Sequence, residues 1–324
     1  MQSRFSFTAI AAAIGLALAC QAASAQEGSN TVTVTQQGNG NTSYAEQSTE
    51  VGALYRDMNA TIIQTGDNNH VGGPGATTGG LLQLNAGGSV YAKIQQTGTG
   101  NNAGIAQIGI VAPTFPVTAD ITQFGSHNTA TLQQMQTSDL SAVLIQNGNG
   151  NNAAVEQSQS IPGTVRTTQN GNDNSVTVSQ RGTGYASPNV IQNGDGNVAS
   201  ALVDINVFGS PYIEQTGTVN HASAVQTNTE DADILIRQVG SDNHADASQS
   251  GGRDHSVDIR QNGIGNVTTV TQTGIGPGAF GSGNAAIVAQ YGNSNTAIVR
   301  QVGEYYVANV SQTGSGNYAN IYQH

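Results

Sequence analysis

Carboxylates and imidazoles come first, because catalysis or metal binding would need them clustered. Acidic residues are densest in one stretch: Glu230, Asp231, Asp233, Asp242, Asp246, Asp254 and Asp258. Paired carboxylates serve hydrolysis and oxygen-rich clusters hold calcium, but the EF-hand spacing and the glycine-rich calcium nonapeptide are both absent. His221 and His244 each follow an asparagine directly and lie 23 residues apart. They could share a metal, yet no third ligand keeps step with them, and they read as surface histidines. Cys20 is the only thiol, and no Ser, His and Asp stand in a convincing triad. The chain is therefore expected to have no catalytic, cofactor or metal residues and not to be an enzyme.

What recurs instead is the amide. Gln-x-Gly-x-x-Asn occurs twelve times, and in ten of the twelve a second Gln follows six residues after the Asn. The first five units hold Gln36, Gly38, Asn41 and Gln47; Gln64, Gly66 and Asn69; Gln96, Gly98, Asn101 and Gln107; Gln123, Gly125, Asn128 and Gln134; and Gln146, Gly148, Asn151 and Gln157. Then come Gln169, Gly171, Asn174 and Gln180; Gln192, Gly194 and Asn197; Gln215, Gly217, Asn220 and Gln226; and Gln238, Gly240, Asn243 and Gln249. The last three are Gln261, Gly263, Asn266 and Gln272; Gln290, Gly292, Asn295 and Gln301; and Gln312, Gly314, Asn317 and Gln323. The two units without a second Gln carry Gly75 and Val203 there. From Gln123 to Gln261 every step is 23 residues.

The elements that must position these amides follow from parity. Two residues before the first Gln stands a branched aliphatic in eleven of twelve units, Val34, Ile62, Ile94 and Ile121 among them, whereas the next position is often polar, as in Thr35, Glu214, Arg237 and Arg260. After the Asn the second position is small, with Ala in eight units, and the fourth is apolar in seven. Period-2 alternation marks strands with one buried face. The same parity puts both glutamines and the Asn on that buried face, and Asp246 and Asp258 on the wet one. An unpartnered buried amide costs about 1–3 kcal/mol, so the amides must bond one another. Units stacked about 4.8 Å apart would let Gln meet Gln and Asn meet Asn. The expected fold is all-β, an amyloid-forming β-solenoid of about twelve strand-turn-strand rungs. A lead-in strand would span 26–35 and the repeats 36–324, with Gly/Pro-rich loops extruded near 72–88, 108–118 and 274–283. The outward charges Lys93, Asp120, Glu214, Arg237, Asp258 and Arg260 would hold off premature pairing.

Composition agrees: 324 residues with 42 glycines, no Trp, 36% hydrophobic and 9% charged cannot fill an ordinary globular core. Residues 1–25 read as a secretory signal peptide, with Arg4, an apolar run from Ala9 to Ala19 and a small-residue site at Ala23-Ser24-Ala25. Cleavage would remove Cys20, whose alternative role is lipidation, and Arg4, leaving 8 basic and 20 acidic residues, a charge of −12. That balance argues against nucleic acid, and no later stretch is apolar for long enough to be an integral membrane segment.

The Gln-x-Gly-x-x-Asn-x5-Gln unit resembles the curlin repeat of curli fibre subunits, and Gln312 to His324 looks like a closing repeat. Where such units typically carry Ser, six residues before the first Gln, this chain has Asn30, Met58, Val90, Val117, Leu140 and others, never Ser. The resemblance implies an extracellular structural subunit, major-subunit-like or nucleator-like, that polymerises with itself into cell-surface fibres for adhesion and biofilm. It also implies a nucleator subunit and an outer-membrane secretion apparatus as partners. The competing reading is a monomeric secreted β-solenoid adhesin that binds a surface such as ice or polysaccharide; its flat outward ladder of one residue type is missing, since the third position after the Asn runs Tyr44, Gly72, Gly104, Thr131, Ala154, Thr177.

Overall fold

The computed structural model describes residues 3–8, 30–49, 57–72, 79–86, 88–110, 116–159, 162–182, 184–274 and 283–324. Every regular element among them is a strand. The chain forms two compact units, Met1–Thr164 and Val165–His324.

The first unit contains β1 (Ser3–Thr8), β2 (Asn30–Gln37), β3 (Thr42–Thr49), β4 (Met58–Asp67), β5 (His70–Val71), β6 (Leu81–Ala86), β7 (Val90–Thr99), β8 (Asn102–Ile108), β9 (Val117–Ser126), β10 (Thr129–Met135), β11 (Leu140–Asn149) and β12 (Asn152–Ser158). One parallel sheet runs β2-β4-β7-β9-β11; the facing one runs β3, then β5 and β6, then β8-β10-β12. β1 lies antiparallel on β3.

The second unit, from Val165 on, contains β13 (Gly163–Asn170), β14 (Ser175–Arg181), β15 (Asn189–Asn193), β16 (Val198–Asp204), β17 (Tyr212–Thr218), β18 (His221–Thr227), β19 (Asp233–Ser241), β20 (His244–Ser250), β21 (Ser256–Ile264), β22 (Val267–Thr273), β23 (Ala285–Asn293), β24 (Thr296–Val302), β25 (Val307–Ser315) and β26 (Tyr318–Gln323). Odd-numbered strands pair in one parallel sheet and even-numbered strands in the other. Each unit is thus a β-solenoid, with five rungs in the first and seven in the second among the described residues.

Alternation does the folding. From Met58 to Thr65 of β4 and throughout β18 every second residue is buried, and the cores hold Ile62, Ile94, Ile121 and Leu144 in the first unit and Ile213, Ile236, Ile259 and Val288 in the second, all fully buried. Stacking in exact register keeps the buried set on one side, since a slip of one residue would turn it outward.

Two sequence expectations need correction. The segment 72–88 is not all loop: Leu81–Ala86 is β6, which pairs with β3 and β8. The insertion falls inside the second half of its rung, so β5 stops after two residues and the strand resumes at Leu81, because the parallel edges on both sides still need partners. The segment 108–118 is narrower than expected, as Ile108 ends β8 and Val117 begins β9. Residues 275–282 of the third insertion, Gly75, Cys20 and most of 1–25 lie outside the described residues. The first rung begins at Asn30 and carries on past 35 to Gln37.

Candidate functional site

Residue by residue, the amides form three columns in each unit. In the first column Gln Nε2 donates to the Oε1 of the next rung: Gln36 to Gln64 at 2.6 Å, Gln64 to Gln96 at 2.8 Å, Gln96 to Gln123 at 2.9 Å and Gln123 to Gln146 at 2.8 Å. In the second unit the bonds run from Gln169 through Gln192, Gln215, Gln238, Gln261 and Gln290 to Gln312 at 2.8–3.0 Å. The second Gln column repeats this through Gln107, Gln134 and Gln157 and through Gln226, Gln249, Gln272, Gln301 and Gln323. Most of these glutamines are fully buried.

The other Nε2 hydrogen crosses the interior. Gln238 donates to the His221 carbonyl at 2.9 Å and Gln249 to that of Asp233 at 3.1 Å. Each amide thus ties its rung to the next and one sheet to the other, which satisfies donors that would be costly if left bare.

The Asn column has opposite polarity. Asn220 Nδ2 donates back to Asn197 Oδ1 at 3.1 Å, and Asn243 to Asn220 at 3.0 Å; Asn69, Asn101, Asn128 and Asn151 do the same in the first unit. A second Asn hydrogen reaches forward to the turn glycine of the next rung, as from Asn220 to the Gly240 carbonyl at 3.0 Å and from Asn101 to that of Gly125 at 2.8 Å. This explains the glycines: Gly240 has φ +114°, and a Cβ there would overlap the Gly263 carbonyl oxygen. Gly38, Gly66, Gly98, Gly125, Gly171, Gly194, Gly217, Gly263 and Gly292 are crowded in the same way. The residue before each Asn is also left-handed, whether Gly196, Val219 or Asp242, a turn requirement that nothing in the hexapeptide spacing announced.

Two ladder members escaped sequence reasoning. Gln83 takes the place assigned to Gly75, accepting from Gln47 at 2.7 Å and donating to Gln107 at 2.9 Å; allowing an insertion between the Asn and the second Gln would have found it. At Val203 the column does break. Gln180 Nε2 turns to the Ala186 carbonyl at 2.9 Å, and Asn206 Nδ2 supplies Gln226 Oε1 at 3.1 Å.

The groups weighed for chemistry are engaged otherwise. Arg253 meets Glu230 at 2.9 Å and Asp231 at 3.1 Å, Arg260 meets Asp258 at 2.6 Å, and Arg237 meets Glu214 at 3.3 Å. His221 and His244 stack with centroids 4.7 Å apart, and His244 Nε2 lies 2.8 Å from Asp246. Burial, and then the neighbouring His244, push the His221 pKa down, against a smaller opposite pull from Asp246. Among the described residues no three His, Cys, Asp or Glu side chains are placed to hold a metal, and no helix is long and apolar enough to cross a membrane.

A family model described as curlin associated repeat matches residues 280–303. No curated protein matches the chain. The matched segment contains Gln290, Gly292, Asn295 and Gln301, and the hydrogen bonds of that rung recur in rungs below and above it. Each unit is a β-solenoid, and residues 280–303 of the second carry the curlin-associated repeat.

Proposed function

We propose that this chain is a structural subunit of an extracellular, curli-type amyloid fibre, polymerising by rung stacking and serving adhesion and biofilm matrix. The observation that carries the reading is the self-complementary rung: a repeated cross-section whose buried amides are satisfied only by another copy above and below. Among the described residues β25 and β26 each pair on one side only. Gln312 and Gln323 there donate to no further Gln Oε1 in the structure, since each accepts from the rung below and otherwise donates to a backbone carbonyl. An incoming rung of a second copy would extend both sheets and all three columns, the logic by which unpaired strand edges recruit chains.

Secretion after removal of 1–25, a nucleating partner subunit and an outer-membrane export apparatus belong to the same proposal through the curlin repeat. A role in catalysis has no support from the arrangement of acids and histidines. The test is to incubate the purified chain, without residues 1–25, in denaturant-free buffer and examine it by electron microscopy and fibre diffraction. Fibres with a meridional spacing near 4.7–4.8 Å are expected; a persistent monomer would end the proposal.

A further inference from the structure

Six asparagines precede a glycine: Asn39, Asn147, Asn149, Asn170, Asn193 and Asn262. At such a pair the glycine nitrogen can attack the asparagine side-chain carbonyl, because no Cβ on the following residue stands in the way. Where that nitrogen or that side chain is hydrogen-bonded, the bonds must open before the attack. Two of the six share the context Gly-Asn-Gly-Asn, in Gly38 to Asn41 and in Gly148 to Asn151. Their reactivity in the unfolded chain is therefore matched, and a difference between them belongs to the fold.

The fold treats them differently. Asn149 is restrained twice by the rung below: the Gly150 N–H donates to the Ser126 carbonyl at 3.0 Å, and Asn149 Oδ1 accepts from the Ser126 N–H at 3.0 Å. The first of these bonds recurs at Gly100, Gly196, Val219, Gly265 and Gly316. Asn39 lies in the first rung, whose strand β2 pairs on one side only, with β4. Among the described residues the Gly40 N–H and the Asn39 side-chain amide have no partner, and both residues are exposed. The Asn39 backbone is nonetheless anchored from above, its N–H donating to the Asp67 carboxylate at 2.8 Å and its carbonyl accepting from the Asn68 N–H at 2.8 Å. The main chain is held while the two reacting groups are free.

From this we infer that Asn39 is a self-modification site, deamidated in the folded chain by the nitrogen of Gly40. The Gly40 nitrogen bonds to Asn39 Cγ, the Cγ–Nδ2 bond breaks, and the side-chain NH2 leaves as ammonia with the Gly40 proton. Water then opens the succinimide at one carbonyl or the other, giving aspartate or isoaspartate. Either product sets a carboxylate one rung below Asp67, where like charges on adjacent strands repel, and isoaspartate also lengthens the main chain of the turn. A second copy stacked beneath this rung would bring its Ser315, which stands in the last rung where Ser126 stands in its own, under Asn39 and supply both bonds. That protection rests on the fibre reading; the reactivity of the unassembled chain does not. An unassembled end would thus age, and an assembled one would be preserved.

The test is to keep the full-length chain unassembled at high dilution, checked by sedimentation, in mildly alkaline buffer, and to follow Asn39 and Asn149 by peptide mapping in the mass spectrometer. Asn39 should convert faster than Asn149 by roughly tenfold or more, the effect of two missing hydrogen bonds, and in urea the two rates should converge. Equal rates in the folded chain, or a gap that persists in urea, overturn the inference and leave the fibre reading untouched. Asn39→Ser gives the turn the residue found at Ser126 and should abolish conversion in the Gly38–Asn41 peptide; conversion that persists there would belong to Asn41 and overturn the inference as well. In fibres Asn39 should slow to the rate of Asn149. Fibres in which Asn39 stays fast would sink the rung-on-rung joint of the fibre reading and leave this site standing.

Discussion

The backbone N–H of Asn284 donates to Nδ1 of His255 across 2.9 Å, a bond between neighbouring rungs that requires an unprotonated Nδ1. His255 is buried, and Asn284 continues the chain, accepting from the Tyr306 N–H at 3.0 Å and donating to the Gly303 carbonyl at 2.8 Å. Protonation would set two donors face to face inside the wall of the solenoid. Burial accordingly pushes the His255 pKa down, against weaker opposite pulls from the Gly251 backbone, Glu304 and Asp254.

A depressed histidine pKa favours the folded state when the ring is neutral. The stability it contributes is therefore fully present above the unfolded value, about 6.5, and is lost as pH falls from there through the lowered folded value. His221 acts in the same direction. Urea unfolding of the chain should show stability falling as pH drops below about 6.5, by up to about 1.4 kcal/mol per pH unit for each proton taken up. H255N should flatten the dependence, and an unchanged pH profile in that variant would refute the account.

Ladder amides should outweigh outward charges. Gln238 accepts from Gln215, donates to Gln261 and crosses to His221, so Gln238→Ala is expected to cost about 1–3 kcal/mol and to slow assembly. Arg237 is about half exposed in its pairing with Glu214, and Arg237→Ala should change stability by about 0.5 kcal/mol or less. Denaturation midpoints and fibre growth rates of the two variants check this, and equal effects would mean that the ladder is not what holds the rungs.

Glycine columns make a sharper contrast. Gly240→Ala would drive a methyl group into the Gly263 carbonyl oxygen, whereas Gly316, at φ +70°, has nothing within 4 Å of an added Cβ. Gly316→Ala should cost only the left-handed penalty, about 1–2 kcal/mol, and Gly240→Ala should break its turn. Circular dichroism melts should rank them in that order.

Deletions separate a rung stack from a merely sticky sequence. Removing Gln169 to Ile191 takes out one 23-residue period and joins Thr168 to Gln192 in phase. Removing Val176 alone turns Val178 and Gln180, both buried, to the outer face. Fibre growth at equal concentration should suffer more from the single deletion; the opposite ranking would favour aggregation by composition.

Much of this was legible in sequence, because a rung is local. Strand parity, the turn between Gln and Asn, and the 23-residue step are written into contiguous residues such as Gln215 to Gln226, and identical rungs leave the stack little choice of register. Other features depend on what lies one rung away, where sequence distance varies. Gln83 joins the ladder because β3 and β8 leave a strand-wide gap that β6 fills, and Asn206 completes Gln226 because Val203 cannot. The opposite polarity of the Gln and Asn columns and the neutral His255 beneath Asn284 were likewise decided only in three dimensions. Hydrogen-bond direction and backbone handedness are set by the heights and orientations of groups on neighbouring rungs, and residue type and spacing along one strand do not contain them.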